Sequence, residues 1–407
     1  MAGPHPTVAA ARRALRTLLK EAGVAPGSRL LLACSGGSDS MALAQATLFV
    51  GSRDGYVVDA LTVDHGLREE SAREAEHVRA QLLGLGVRHA DVARVTLDSG
   101  GGPEAEARSA RYAAIARVAE STTTARARAA GNAGLRDASV SPDSADFPEA
   151  TATRGATGDD ASDAADSGEA NQTTTQGTSE ASGRSAWARA AVVLLGHTAD
   201  DQAETVLLGL ARGSGARSIR GMAAIARLPE HPQIMALRPL LDLRREDLRA
   251  GLRSAGISWV EDPTNEPTSH WRAQDGSPLR RSALRHHAIP ALEQDLGPGV
   301  VEALARTARL LQADEEALEL WTRRECARIV DEESLSVSIL ELRQLPRAVR
   351  TRVLKVLALQ AGARAGELVG WHVDHLDELV TGPGGGRGID LPGVRGEQRA
   401  GRIHFGR

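Results

Sequence analysis

Up to Ala211, short apolar runs of strand length alternate with stretches that repeat apolar residues every three or four positions. Arg29–Cys34 (RLLLAC), Val57–Val63 (VVDALTV), His89–Val95 and Ala191–Gly196 (AVVLLG) have the bulk of strands. Ser40–Leu48, Ser71–Leu83, Glu104–Val118 and Asp201–Ala211 have the helical period. The alternation predicts an α/β fold, a Rossmann-like, mostly parallel sheet covered on both faces, with ligands beyond the carboxyl ends of the strands. After Pro239 the pattern turns mainly helical, with Arg244–Ala255, Leu279–Glu293, Gly299–Glu319 and Arg347–Ala361, then a Gly-rich, β-leaning tail from Gly382 to Arg407. Pro290 and Gly297-Pro298 mark a boundary. The chain is therefore expected to divide into an α/β domain over 1–294 and a smaller, mainly helical one over 295–407.

Composition changes this picture at one place. Residues 121–185 are built mainly from Ala, Ser, Thr, Gly and Asp, with only Leu135, Val140 and Phe147 as larger apolar residues. Such a segment buries too little to offset its ordering entropy and reads as a disordered insertion. Its five arginines and ten acidic residues give −5 of the chain's net −4, leaving +1 elsewhere. Replacing it with a short Gly/Ser linker should leave thermal unfolding and activity unchanged; a large loss of thermal stability would contradict that expectation.

The remaining positive charge is nearly all arginine, since Lys20 and Lys355 are the only lysines. With so little net charge, a nucleic acid would be held by local clusters: Arg272, Arg280, Arg281 and Arg285 near the domain junction, and Arg343, Arg347, Arg350 and Arg352 further on. Cys34 and Cys326 form no C-x-x-C pair, which argues against a zinc ribbon or a disulfide framework. The amphipathic Val8–Ala22 stretch is no signal peptide and no run has membrane-spanning length, so a cytoplasmic protein is expected.

The strongest local signal is Ser35-Gly36-Gly37-Ser38-Asp39-Ser40, set between a strand and a helix. Glycines allow close approach to a phosphate, the helix N-terminus favours anions, and Asp39 is placed to hold Mg²⁺ on nucleotide phosphates. A plain βα turn with Ser and Asp as caps is the alternative. No G-x-x-x-x-G-K-[ST] motif exists. In Gly196-His197-Thr198-Ala199-Asp200-Asp201-Gln202-Ala203-Glu204-Thr205, Asp201 and Glu204 suit a capping box, with Asp201 as the cap. The same strand end also suits Asp201 to share a Mg²⁺ with Asp39.

The Ser35–Ser40 loop resembles the S-G-G-x-D-S loop of the PP-loop ATP pyrophosphatases (adenine nucleotide alpha-hydrolase-like), which split ATP to AMP and pyrophosphate. Asp64-His65-Gly66-Leu67-Arg68, Glu104–Tyr112 (EAEARSARY), the Gly196–Thr205 segment, Arg212–Gly215, Arg238-Pro239-Leu240-Leu241 and Trp259 with Glu261–Asn265 are similar, in that order, to the motifs of the tRNA(Ile)-lysidine synthase family. The resemblance implies ATP and Mg²⁺ as cofactors. It implies tRNA(Ile) with a CAU anticodon and free L-lysine as substrates, with a homodimer open. Arg108 would meet an ATP phosphate or the activated base, and Asp64 an amino group or the adenosine. His197 and Glu204 are general-base candidates, and Arg281 and Arg285 match the family's paired arginines. A thiolase of the same superfamily and a non-catalytic tRNA-binding relative are the rival readings.

Overall fold

A computed structural model describes residues 3–66, 70–95, 106–121, 191–213, 215–261, 279–382 and 388–406. The expected insertion beyond Ser121 lies outside them, as do Arg68, Glu104, Ser214, Asp262–Asn265, Arg272 and the glycines at 384–386.

Strands β1 (Arg29–Ala33), β2 (Val57–Asp64), β3 (His89–Arg94), β4 (Val192–Leu195), β5 (Ile225–Leu228) and β6 (His231–Leu237) form one sheet in the order β3-β2-β1-β4-β6-β5. All pair in parallel except β5, which runs antiparallel to β6 at the edge. This is the α/β sheet that the hydrophobic pattern predicts. Leu30, Leu32, Val192 and Leu194 join the core on one face, while Leu31, Val193 and Leu195 join the core on the other. Burial on both faces is why these strands read as unbroken apolar runs.

Helices α1 (Pro6–Glu21), α2 (Ser38–Asp54) and α3 (Ser71–Gly84) contribute Leu15, Leu43, Val78 and Leu82 to the first face. Helix α4, across 106–121, covers the other with Tyr112, Ile115 and Ala119. Next come α5 (Ala199–Arg212), α6 (Ala216–Ile219) and α7 (Arg245–Ser254). The β5–β6 hairpin escapes the hydrophobic pattern because β6 (HPQIMAL) opens on Pro232 and Gln233, leaving only four apolar residues.

Helix α8, across 280–296, contains a π turn at Leu284–Ala288 just before Pro290. Proline has no N–H to donate to the carbonyl four residues back, and the wider turn absorbs that mismatch. Pro290 therefore lies inside the helix, and the helix ends at Leu296 beside Gly297. Helix α9 (Val300–Ile329) packs Val301 and Ala305 against Ala199 and Ala203 of α5, and its far end reaches a second core. That core lies between α10 (Ile339–Gln344), α11 (Arg347–Gln360), α12 (Gly370–Thr381) and an antiparallel sheet. The sheet contains β7 (Val330–Asp331), β8 (Ser336–Ser338), β9 (Gly388–Leu391), β10 (Val394–Arg399) and β11 (Arg402–Gly406). The Gly-rich tail supplies three of those five strands.

Candidate active site

The winding of the first sheet reverses between β1 and β4: β2 and β3 lie to one side of β1, β4 and β6 to the other. Loops leaving two parallel strands at such a point diverge, and a crevice opens beyond their carboxyl ends. Both loops here are polar. β1 leads through Cys34–Gly37 into α2, and β4 through Gly196–Thr198 into α5. Gly36 has φ +83°, and a Cβ there would collide with the Val78 side chain. At Gly196 a Cβ would stand 3.1 Å from Ser40 N and Cα, so the two loops touch backbone to backbone.

Gly37 caps α2 and supplies no side-chain hydrogen bond. The first-turn N–H groups are therefore left for an anion. Ser40 Oγ donates to the Gly37 carbonyl at 2.9 Å and lies 3.4 Å from Ser35 Oγ, which fixes the loop from within. Ser38 Oγ donates to Asp39 Oδ1 at 3.2 Å.

Asp39 and Asp201 meet on one guanidinium. Arg245 Nε donates to Asp39 Oδ2 at 2.7 Å and its Nη2 to Asp201 Oδ1 at 2.8 Å, while Nη1 lies 3.9 Å from Glu204 Oε1. Burial lifts the Asp39 carboxyl above its usual range against the pull of Arg245. Burial also opposes the charged Asp201, but Arg245, His197, the Thr198 N–H and Arg285 together bring it down to about 2. Two carboxylate oxygens trained on one cationic position, beside an anion-seeking helix end, fit Mg²⁺ carried in on nucleotide phosphates. No group of three or more His, Cys, Asp or Glu placed to hold a metal ion occurs among the described residues.

The capping box is placed differently from the sequence expectation. Thr198, not Asp201, is the N-cap: Asp201 Oδ2 accepts from the Thr198 N–H at 2.8 Å and from its hydroxyl at 3.0 Å. Asp201 thus spends one oxygen on the helix and presents the other to Arg245.

Glu204 is fully buried, and Arg285 Nε donates to its Oε1 at 2.9 Å while Arg281 Nη1 reaches Oε2 at 3.4 Å. Burial raises the Glu204 carboxyl and Asp201 adds to it, with Arg285 and Arg245 pulling the other way. Its oxygens are engaged by arginines, which is a poor setting for a base and a good one for aiming Arg281 and Arg285 into the crevice. The π turn carries Arg285.

His197 is half-buried on the cavity wall, and desolvation there brings its imidazole down to about 3 from an ordinary 6.5. Asp201 opposes the shift while Arg238, Arg111 and Arg281 reinforce it. The unfolded chain takes up a proton here below about 6.5, the folded chain only near 3, so acid between those values favours unfolding. Between about pH 7 and pH 5, the melting temperature of His197→Gln should fall less than that of the unmodified chain; parallel curves would contradict this.

Arg108 and Arg111 of α4 line the same cavity, whose volume is about 1770 Å³, and Arg108 is exposed to it. That space exceeds an ordinary single-ligand pocket of about 300–1,000 Å³. Asp64 is 4% exposed, and its Oδ1 accepts from Ser71 Oγ at 2.6 Å and from the Gly66 N–H at 2.9 Å. It closes the turn after β2, so its first duty is to the loop that borders the cavity.

The second arginine cluster is largely spoken for. Arg350 is 9% exposed and pairs with Asp377 at 2.6 Å, and Arg343 donates to the Val380 carbonyl at 2.7 Å. Arg352 pairs with Glu315, and Arg347 with Asp374 at 2.7 Å. Arg350 is a core ion pair, out of reach of a phosphate; of the two residues expected to bind tRNA here, only Arg347 is well exposed.

Arg245, Arg238, Arg249 and Asp200 carry no individual role that is legible in the sequence. Asp200 accepts from the Arg245 N–H at 2.8 Å, and Arg249 Nε reaches Ser38 Oγ at 3.3 Å. A signal existed: Arg244 and Arg245 stand at the start of α7, where the helix dipole disfavours cations. Carboxylates from elsewhere in the fold had to be waiting there.

A family model described as a PP-loop domain matches residues 7–130 and 184–292. A tRNA(Ile)-lysidine synthase of Thermobifida fusca is 39% identical over 406 residues, covering 100% of this chain and 98% of the relative. Proteins of the same name from Streptomyces coelicolor (37% identical, 98% of each chain) and Salinispora arenicola (38%, 99% and 97%) match equally broadly.

Proposed function

The chain belongs to the tRNA(Ile)-lysidine synthase family, and on that premise we propose that it ligates lysine to the wobble cytidine of the CAU-anticodon tRNA(Ile) at the expense of ATP. ATP lies with its phosphates on Ser35, Gly36, Gly37, Ser38, Asp39 and Ser40. Cytidine O2 attacks the α-phosphorus, and the bond to pyrophosphate breaks. The lysine ε-amine then attacks C2, the C2–O2 bond breaks, AMP departs with that oxygen and the amine proton is lost. Lysidine results.

The observation that carries this reading is the convergence of Asp39 and Asp201 on one cationic position at the uncapped start of α2. Asp39 and Asp201 would hold Mg²⁺, which supplies charge neutralisation on the phosphates. The protein's own share is positioning and electrostatics. Arg108 and Arg111 approach the nucleotide from α4, Arg281 and Arg285 from α8 under the hold of Glu204, and Arg347 meets tRNA from the second core. A guanidinium clamps a phosphate through two bonds, which lysine cannot reproduce.

Sulfur transfer is the weaker reading. Cys34 is buried with its thiol on Ser40 Oγ at 3.4 Å, burial pushes its pKa up, and Cys326 belongs to the second core. A thiolate is disfavoured at the one cysteine near the site. Among the described residues no helix is long and apolar enough to cross a membrane, and tRNA modification fits a cytoplasmic protein.

Chromatography of the nucleotides tests the reaction class. With ATP, lysine and the CAU tRNA, AMP and pyrophosphate should appear in step with modified tRNA; without lysine, adenylated tRNA should accumulate. Formation of ADP and phosphate instead would overturn the adenylation step.

A further inference from the structure

We propose that Arg238 is a positioning residue that fixes His197 as its Nε2–H tautomer, so that His197 meets the substrate as a hydrogen-bond donor and never as a base. The proposal rests on the ATP-dependent reading above for what is bound, and on geometry for the tautomer. Arg238 Nε lies 3.2 Å from His197 Nδ1. A guanidinium offers only N–H groups, so Nδ1 must be the acceptor, and a neutral imidazole then carries its single proton on Nε2. This is the ring's only hydrogen bond among the described residues, leaving Nε2–H as its one free polar group.

Arg238 is not free to swing away. It is 6% exposed, its Nη1 donates to the Ala223 carbonyl at 3.0 Å, its own N–H to the Ala224 carbonyl at 2.8 Å, and Tyr112 stands beside it. The charged groups facing the ring agree with a neutral state: Asp201 favours the imidazolium, but desolvation, Arg238, Arg111 and Arg281 oppose it.

Position decides what the donor meets. His197 follows Gly196, whose backbone runs against Ser40 N at the anion-seeking start of α2, and it lines the same cavity as Asp39, Asp201 and Arg108. The acceptor class is therefore a negatively charged oxygen of the bound nucleotide's phosphate. A preorganised donor there stabilises charge that grows as pyrophosphate leaves, whereas a base would have to take a proton at a nitrogen that is already protonated.

The test begins with ¹⁵N-histidine-labelled full-length protein. The His197 ring, one of 12 histidines, is assigned by its loss in His197→Gln. The expected spectrum shows Nε2 protonated and Nδ1 unprotonated, unchanged from about pH 8 to about pH 5.5. In Arg238→Met nothing fixes Nδ1 as the acceptor, so the neutral ring should show both Nδ1–H and Nε2–H tautomers, while burial, Arg111 and Arg281 still oppose its protonation. An Nδ1–H tautomer in the unmodified protein, or titration of its His197 in that window, would overturn the proposal.

Turnover supplies a second arm. Gln sets an amide N–H where Nε2–H stands, so His197→Gln should keep turnover within about tenfold, while His197→Ala loses about 10²–10³-fold. Equal losses in the two variants would remove the donor role. The spectra need no catalysis, so absence of lysine transfer in the unmodified protein would sink the proposed activity without touching the tautomer.

Discussion

Asp39→Asn is expected to lower turnover by about three orders of magnitude or more while tRNA affinity stays within a few-fold. The amide keeps the shape of the side chain and the loop that Ser38 and Ser40 tie together, but it cannot share a divalent cation with Asp201. Metal stabilisation of charge on a transferring phosphoryl group is worth several kcal/mol, and about 1.4 kcal/mol is tenfold in rate. Arg245 would also lose one of its two anchors and tilt toward Asp201. Raising Mg²⁺ should not restore turnover. Single-turnover kinetics with saturating tRNA, together with a filter-binding titration, separate the two effects. Near-normal turnover would remove Asp39 from the chemistry; a parallel collapse of tRNA affinity would make it a docking residue instead.

Arg350→Ala should destabilise the chain by about 3 kcal/mol, because it takes from the buried Asp377 carboxylate its 2.6 Å partner and leaves it only the 3.3 Å contact with the exposed Arg347. Two neighbouring contacts fail with it: Arg350 Nη1 holds the Leu345 carbonyl at 3.0 Å just before α11, and its Nη2 a second Asp377 oxygen at 3.2 Å. Arg347→Ala, one helical turn away, should change stability by about 1 kcal/mol or less, since its side chain is 64% exposed, its pair with Asp374 is open to water, and Asp377, which it also meets at 3.3 Å, keeps Arg350. Urea unfolding of the full-length variants gives the contrast. If Arg350→Ala unfolded like the unmodified chain and instead weakened tRNA binding with a flatter salt dependence, the residue would belong to the RNA-binding surface and the core reading would fail.

That pair shows what a one-dimensional pattern carries and what it omits. Arg347 and Arg350 look alike in sequence, as arginines three apart on one helix. Both meet Asp377 of α12 once it docks, Arg350 from a buried position at 2.6 Å and Arg347 from an exposed one at 3.3 Å, and only that packing separates them. The same holds at the candidate site. The Ser35–Ser40 loop, Asp201 and Glu204 are legible because strand, glycine and helix succeed one another locally. The central sheet is legible because strands buried on both faces must be apolar throughout. Arg245 and Arg238 meet partners 206 and 41 residues away in sequence; the cationic start of α7 hints that Arg245 has carboxylate partners but not which ones, and nothing local points to the partner of Arg238. In the second core the β-leaning tail does supply three strands, whereas β7 and β8 were hidden because they are two and three residues long, too short for an alternating pattern to stand out.

Transfer of labelled lysine to tRNA tests the central claim most directly. The full-length chain is incubated with ATP, Mg²⁺ and radiolabelled lysine, with either a CAU-anticodon tRNA(Ile) transcript or the same transcript carrying uridine at the wobble position. The account predicts label in the first tRNA alone, dependent on ATP and found on the wobble nucleoside after digestion. No label in the CAU transcript, or equal label in both, would contradict it.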